Sequence, residues 1–233
     1  MARPVYSADE AESIKQSLLQ GALNLYLEEG MESVTLRQIA KRVSLSHTAG
    51  YRYFENKEAL VAEMRRVCIL EFKAAIPATD EADTDPVQRI RSALMGMLDF
   101  GCAYPAKYRL IFSDSQPDLA DYPSLLAQRW EVFASCVDLV QAAIDQDRLQ
   151  VDALMFSHGL WSLLHGMLSL HTANQLVHGL SLREMATPLI DTFLRAGCIP
   201  QEAIHRPQAG RAMSNKAIQT PSSCTEEMNY DQQ

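Results

Sequence analysis

Thr35-Leu36-Arg37-Gln38-Ile39-Ala40-Lys41-Arg42-Val43-Ser44-Leu45-Ser46-His47-Thr48-Ala49-Gly50-Tyr51-Arg52-Tyr53-Phe54-Glu55-Asn56-Lys57 is the stretch on which the reading of this chain turns. Leu36, Ile39, Ala40 and Val43 recur at helical spacing and form one inward face. The Thr35 hydroxyl can cap that helix, with Gln38 three residues on in a capping-box pattern. A second short helix is expected from Ser46 to Phe54. Two short helices joined by a tight turn, with a basic skin, outline a helix-turn-helix. Arg37, Lys41, Arg42, Arg52 and Lys57 stand against the single acid Glu55, so residues 35–57 carry +4.

Outward from that stretch the charge reverses. The 233-residue chain has a formal net charge of −8, and residues 71–233 account for all of it. A basic window on an acidic body suits a protein that meets phosphates at one end only. The helix lying in a major groove, roughly 12 Å wide, needs small or polar residues on its outer face. Ser46, His47, Thr48, Gly50 and Arg52 supply them. Lys57 begins the next helix, where its ammonium and the free backbone N–H groups could grip one phosphate together.

Helical periodicity runs through almost the whole chain and no strand-like alternation persists. The expected fold is all-α: nine helices, near 8–29, 35–43, 46–54, 57–76, 87–104, 105–113, 121–146, 150–173 and 181–197. The expected division is a helix-turn-helix domain over 1–60, joined through helix 57–76 and an acidic connection over 77–86 to a helical domain over 87–198. Residues 199–233 lose periodicity, contain Pro200, Pro207 and Pro221, and read as a disordered tail. The most apolar window, Leu154–Leu170, is interrupted by Ser157, His158, Ser162 and His165, so no transmembrane helix is expected. The N-terminus lacks the apolar run of a secretory signal, which points to the cytoplasm.

Several function classes are excluded as readings. Five scattered cysteines without a Cys-x-x-Cys pair argue against a disulfide framework or a zinc knot. The histidines at 158, 165, 171 and 178 contain no i, i+4 pair, so no metal is expected. No phosphate-binding glycine loop, nucleophile elbow, zincin motif or dinucleotide fingerprint occurs, so no catalytic residues, no cofactor and no enzyme activity are expected. A helical adaptor that holds another protein is the rival to a DNA-binding role, and it leaves the +4 window unexplained.

The residues then become recognisable. Ala22-Leu23-Asn24-Leu25-Tyr26-Leu27-Glu28-Glu29-Gly30, Thr35-Leu36-Arg37-Gln38-Ile39-Ala40 and Ser46-His47-Thr48-Ala49-Gly50-Tyr51-Arg52-Tyr53-Phe54-Glu55-Asn56-Lys57-Glu58-Ala59-Leu60 resemble the TetR family of transcriptional regulators. The resemblance implies a homodimer on a pseudo-palindromic operator in duplex DNA, with half-sites roughly 34–36 Å apart. It places Thr35, Thr48, Tyr51, Tyr53 and Lys57 where relatives contact DNA. With the residues read directly, the DNA-binding set is Thr35, Arg37, Ser46, His47, Thr48, Tyr51, Arg52, Tyr53 and Lys57. Ser44 stands where most relatives carry glycine between the helices. Gly50 stands inside the reading helix, where relatives have a larger residue.

Tyr104-Pro105-Ala106-Lys107-Tyr108-Arg109-Leu110-Ile111-Phe112, with Trp161-Ser162-Leu163-Leu164-His165-Gly166, resembles the C-terminal domain of a TetR subgroup named for its Trp-His-Gly motif. That resemblance implies dimerisation and a pocket for a small-molecule effector that releases the protein, a repressor, from DNA. The pocket candidates are Met97, Phe100, Tyr104, Tyr108, Phe112, Trp130, Phe133, Phe156, Trp161 and His165, since methionine and aromatics line adaptable cavities. Gly159, Ser162, Gly166 and Ser169 form a small-residue stripe at helical spacing that admits a second helix. With Met185, Leu189 and Phe193 of the last helix they form the expected dimer interface.

Overall fold

The computed structural model describes residues 7–46, 50–77, 85–112 and 119–198. They form eight α-helices, α1 (Ala8–Glu29), α2 (Leu36–Arg42), α3 (Lys57–Ala74), α4 (Pro86–Ala103), α5 (Pro105–Phe112), α6 (Pro123–Asp145), α7 (Ala153–Thr172) and α8 (Leu182–Gly197), and no strand occurs among the described residues. The chemistry of the helix ends explains most of these boundaries. Ser7 and Ser181 each close a full capping box, with Glu10 and Glu184 three residues on. Thr35, Asn56, Asp85 and Asp152 accept N-terminal amides through their side chains. Gly30 ends α1 at φ 86°, a left-handed conformation that costs a side-chain-free residue little.

Three helices end on the same device without glycine. After α2, the Leu45 amide donates to the Ala40 carbonyl (2.8 Å) and the Ser44 amide to Lys41 (3.1 Å). This is the Schellman pattern, and it needs a left-handed residue at its turn. Ser44 occupies that position at φ 58°, as Asp147 (φ 55°) does after α6 and Asn174 (φ 54°) after α7. The turn for which the resemblance implies glycine is therefore made here by a serine in the left-handed region of backbone space.

Leu18, Ala22 and Leu25 of α1 meet Leu36 and Ile39 of α2, Phe54, and Leu60 and Met64 of α3 in the core of the small N-terminal unit. The same apolar cluster continues down α3 through Cys68, Ile69 and Phe72 into the second block, so α3 belongs to both. Two polar ties reinforce that continuity. The Tyr26 hydroxyl donates to the Ala106 carbonyl (2.9 Å), and the buried Arg65 Nε donates to the Leu110 carbonyl (3.0 Å). In the second block, α8 turns Leu182, Ala186, Ile190 and Leu194 into the core of the chain. An ion pair from Arg91 on α4 to Asp191 on α8 (2.9 Å) flanks that contact.

Of the helix expected over residues 46–54, residues 47–49 lie outside the described residues. Its described end is a single 3-10 turn, Gly50–Arg52, with Tyr53 and Phe54 outside any helix, so the helical end expected at Phe54 is corrected and eight α-helices stand among the described residues where nine were expected. Further 3-10 turns at Met31–Ser33 and Leu119–Asp121 had no sequence signal. The tail over 199–233, and Cys224 within it, lies outside the described residues.

Candidate DNA-reading surface and effector cavity

At the N-terminal end, Thr35 Oγ1 accepts the Gln38 amide (3.2 Å) and donates to Gln38 Oε1 (2.7 Å), a half-reciprocal cap that fixes the start of α2. Arg37 and Lys41 project from α2 into solvent. Arg42 is committed within the chain, its terminal nitrogen donating to both oxygens of Glu28 (2.6 and 2.7 Å). That pair removes one positive charge from the +4 window.

The turn Gly50–Arg52 presents Tyr51, 64% exposed, beside the exposed Arg52. Tyr53 is half-buried against the core, and Phe54 is 3% exposed, a core aromatic. A β-carbon on Gly50 would lie 3.2 Å from the Leu36 carbonyl oxygen and 3.3 Å from Leu36 Cβ. Glycine here lets the Gly50–Arg52 turn press onto α2, a reason internal to the domain. Lys57 is half-buried, and its Nζ donates to the Met31 carbonyl (3.0 Å). Its ammonium thus joins the start of α3 to the turn after α1. Ser46 is exposed; His47 and Thr48 lie outside the described residues.

The second feature is a half-open cavity of about 320 Å³ lined by Ile69 and Phe72 of α3, Ile111 and Phe112 of α5, Leu126, Arg129, Trp130, Val132 and Phe133 of α6, and His158 and Trp161 of α7. This is at the small end of the range for ligand pockets, roughly 300–1,000 Å³. Its floor is aromatic. The Phe72 and Phe112 rings stand edge-on at 5.7 Å, and Phe112 meets Trp161 at 5.1 Å. Phe133 lies against the His158 imidazole at 4.5 Å. Trp130 is 66% exposed and stands at the mouth.

Of the residues named from sequence, Phe112, Trp130, Phe133 and Trp161 line this cavity. Met97, Phe100 and Tyr108 are buried core, while Tyr104 is 52% exposed and away from it. Met97 touches only a small void of about 20 Å³ behind Phe133 and Trp161. Phe156 stacks at 5.0 Å on Phe193 of α8. His165 Nδ1 and the Tyr108 hydroxyl share a hydrogen bond of 2.9 Å, and the imidazole stands edge-on to Phe112 at 5.6 Å. His165 therefore braces the wall from behind.

Sequence reasoning missed Ile69, Phe72, Ile111, Leu126, Arg129, Val132 and His158. A signal was present on α6. Leu126, Arg129, Trp130 and Phe133 fall at i, i+3, i+4 and i+7, an apolar stripe with an arginine inside it. Burial pushes the Arg129 guanidinium below the usual arginine value. Arg65 is lowered as well, first by burial and then by the charge of Arg129.

The expected dimer stripe on α7 divides. The space a β-carbon on Gly159 would fill belongs to Phe193 of the same chain, whose Cζ would lie 2.5 Å away. Ser162, Gly166 and Ser169 remain exposed, with nothing within 4 Å of a β-carbon on Gly166. On α8, Leu189 is 39% exposed, and Met185 and Phe193 are half-buried. None of the described helices is long and apolar enough to cross a membrane.

Comparison with known proteins finds a family model over each of the two regions. Residues 18–64 match the family model of bacterial regulatory proteins, tetR family, and residues 90–193 match that of the tetracyclin repressor-like C-terminal domain. Over 91 residues the chain is 33% identical to the nucleoid occlusion factor SlmA of Haemophilus influenzae, a match covering 37% of this chain and 40% of that protein. Over 97 residues it is 29% identical to the HTH-type transcriptional regulator AcrR of Shigella flexneri, covering 39% and 42%. The matches thus span about two fifths of the length of these curated relatives. A solved structure from Rhodococcus sp. RHA1, of a protein with unknown function, superposes with a TM-score of 0.71 at 22% identity, over 85% of this chain and 100% of that one.

Proposed function

We propose, on the premise that the chain belongs to the tetR family of bacterial regulatory proteins, that this transcriptional regulator acts as a repressor released from its operator by a small molecule in the cavity. The observation that carries this reading is the double membership of α3. Its first residue, Lys57, follows the Gly50–Arg52 turn by five residues and ties the start of α3 to the Met31 carbonyl in the turn after α1, and Ile69 and Phe72 near its other end line the cavity. At about 1.5 Å per residue, Lys57 and Phe72 stand about 22 Å apart on one helix. A ligand that fits one tilt of α3 better than another shifts the balance between two orientations of the reading surface, and only by that difference in affinity.

The DNA-contacting set comprises Thr35, Arg37, Ser46, Tyr51, Arg52, Tyr53 and Lys57, together with His47 and Thr48. Tyr51 and the exposed cations Arg37, Lys41 and Arg52 support it. The protein pairs with a second copy through α7 and α8, presenting Ser162, Gly166, Ser169 and Leu189. Exposed Leu170 (45%) extends that face, and an interface of this kind excludes water from it. Two reading surfaces related by the dimer axis ask for a pseudo-palindromic site.

The test is selection of genomic fragments by the purified protein at two salt concentrations. One pseudo-palindromic motif is expected, with affinity falling steeply as salt rises, because phosphate contacts release counterions. Enrichment of no fragment at low salt would defeat the reading and leave the adaptor role standing.

A further inference from the structure

The cavity walls are apolar except where Arg129 and His158 enter them. Arg129 sits on α6 one turn from Leu126 and next to Trp130, half-buried, so its guanidinium is drawn into an environment poorer in water than the surface. Behind the wall, Arg65 is 6% exposed, held by its bond to the Leu110 carbonyl, and its charge and that of Arg129 act on each other. No residue lining the cavity among those described is acidic. One guanidinium on the lining of an apolar cavity, with a second buried behind it, favours an anion, and the planar donor fork of Arg129 matches a carboxylate in particular. Phe72, Phe112, Phe133 and Trp161 leave the rest of the ligand nothing but apolar contact.

We propose that the cavity takes an amphipathic monoanion, a carboxylate on an aliphatic or aromatic body, with the carboxylate held by Arg129 and the body laid against Phe112, Phe133 and Trp161. The proposal rests on the reading of this cavity as the effector site and gives that effector a chemical class. A neutral molecule of the same shape gains no charge-assisted hydrogen bond from Arg129, and a cation is opposed by both arginines. Recognition of charge inside an apolar chamber is also what separates a specific effector from any greasy solute.

The chain provides its own reporter, because its only two tryptophans, Trp130 and Trp161, both line the cavity. Tryptophan emission of the full chain is followed during titration with octanoate and with octanamide, and with phenylbutyrate and its amide. Each acid is expected to bind about tenfold or more tightly than its amide, the scale of a charge-assisted hydrogen bond. In Arg129→Gln the acid should fall to the affinity of the amide, whose own binding is unchanged. Arg129→Lys, which keeps the charge, should retain part of the preference. Equal binding of acid and amide to the parent protein overturns the anion proposal and leaves the cavity as an effector site. If none of the four compounds alters the emission at millimolar concentration, the cavity reading itself falls, and the proposal with it. The acid/amide comparison in the parent protein decides the matter even if Arg129→Gln fails to fold.

Discussion

The Phe193 ring of α8 occupies the place where a β-carbon on Gly159 of α7 would stand, 2.5 Å from its Cζ. One member of the α7 small-residue stripe is therefore spent inside the protomer, and the two glycines of that stripe have different tasks. Gly159→Ala should destabilise the protomer by about 1–3 kcal/mol through overpacking, since Phe193 is held in turn by Phe156. Gly166→Ala meets open space and should stabilise α7 by up to about 1 kcal/mol. Thermal unfolding reads the first difference. Sedimentation of the Gly166 variant reads the second, because a weaker dimer from a better helix would locate the partner at Gly166. Equal unfolding midpoints for the two variants would contradict the Phe193 contact.

The turn after α2 makes a second prediction. Ser44 holds φ 58°, where a β-carbon costs roughly 1–2 kcal/mol and glycine pays nothing comparable. Ser44→Gly should raise stability by about 1 kcal/mol in urea denaturation, and Ser44→Val should lower it by more. The gain is bounded because glycine also frees the unfolded chain. A Ser44→Gly protein less stable than the parent would mean the serine side chain contributes something beyond its backbone angle.

Much of this fold was legible because its signals are local. Ser7 with Glu10 and Ser181 with Glu184 mark helix starts in the sequence itself, and α5, α6 and α7 fall within three residues of the expected limits. The end of the helix expected over residues 46–54 was overstated because Tyr51, Tyr53 and Phe54 carry an apolar period that the 3-10 turn Gly50–Arg52 satisfies as well over so few residues. The cavity was only partly legible. Aromatic residues at helical spacing read alike whether they fill core, as Phe100 and Tyr108 do, or face a hollow, as Phe133 and Trp161 do. Which of the two occurs depends on how α3, α5, α6 and α7 meet, and no single helix carries that information.

Alkaline pH should unfold the protein earlier than acidic surface chemistry alone would suggest. Burial pushes the Cys68 thiol from 9.0 up to about 12 and the Cys136 thiol up to about 11. Burial raises the Tyr108 hydroxyl as well. In each case the folded state holds its proton more firmly than the unfolded chain does. The stability these groups confer is complete below about pH 9 and is lost as the pH climbs toward 11–12. The urea midpoint of reduced protein should fall progressively above pH 9. Cys68→Ala should start lower, from the lost packing, and fall less steeply. A slope unchanged by removal of Cys68 would assign the loss to other groups.

Tyr51 and Lys57 should part company on substitution, although both belong to the proposed DNA-contacting set. Tyr51 is 64% exposed, so Tyr51→Ala should leave the unfolding midpoint within about 0.5 kcal/mol of the parent and still weaken operator binding by tenfold or more. Lys57 already gives one hydrogen bond to the Met31 carbonyl at 3.0 Å. Lys57→Met should therefore lose about 1 kcal/mol of stability as well as affinity, because it unties α3 from the turn after α1. Removing a phosphate contact from each protomer should also lower the dependence of binding on salt, by about 0.9 in the logarithmic slope per contact. Tyr51→Ala should leave that slope intact if its ring meets sugar or base. Fluorescence anisotropy on the selected fragment at several salt concentrations, with urea denaturation of each variant, measures all three quantities. A Lys57→Met protein that is destabilised but keeps the parent's salt slope would confine Lys57 to holding the domain together.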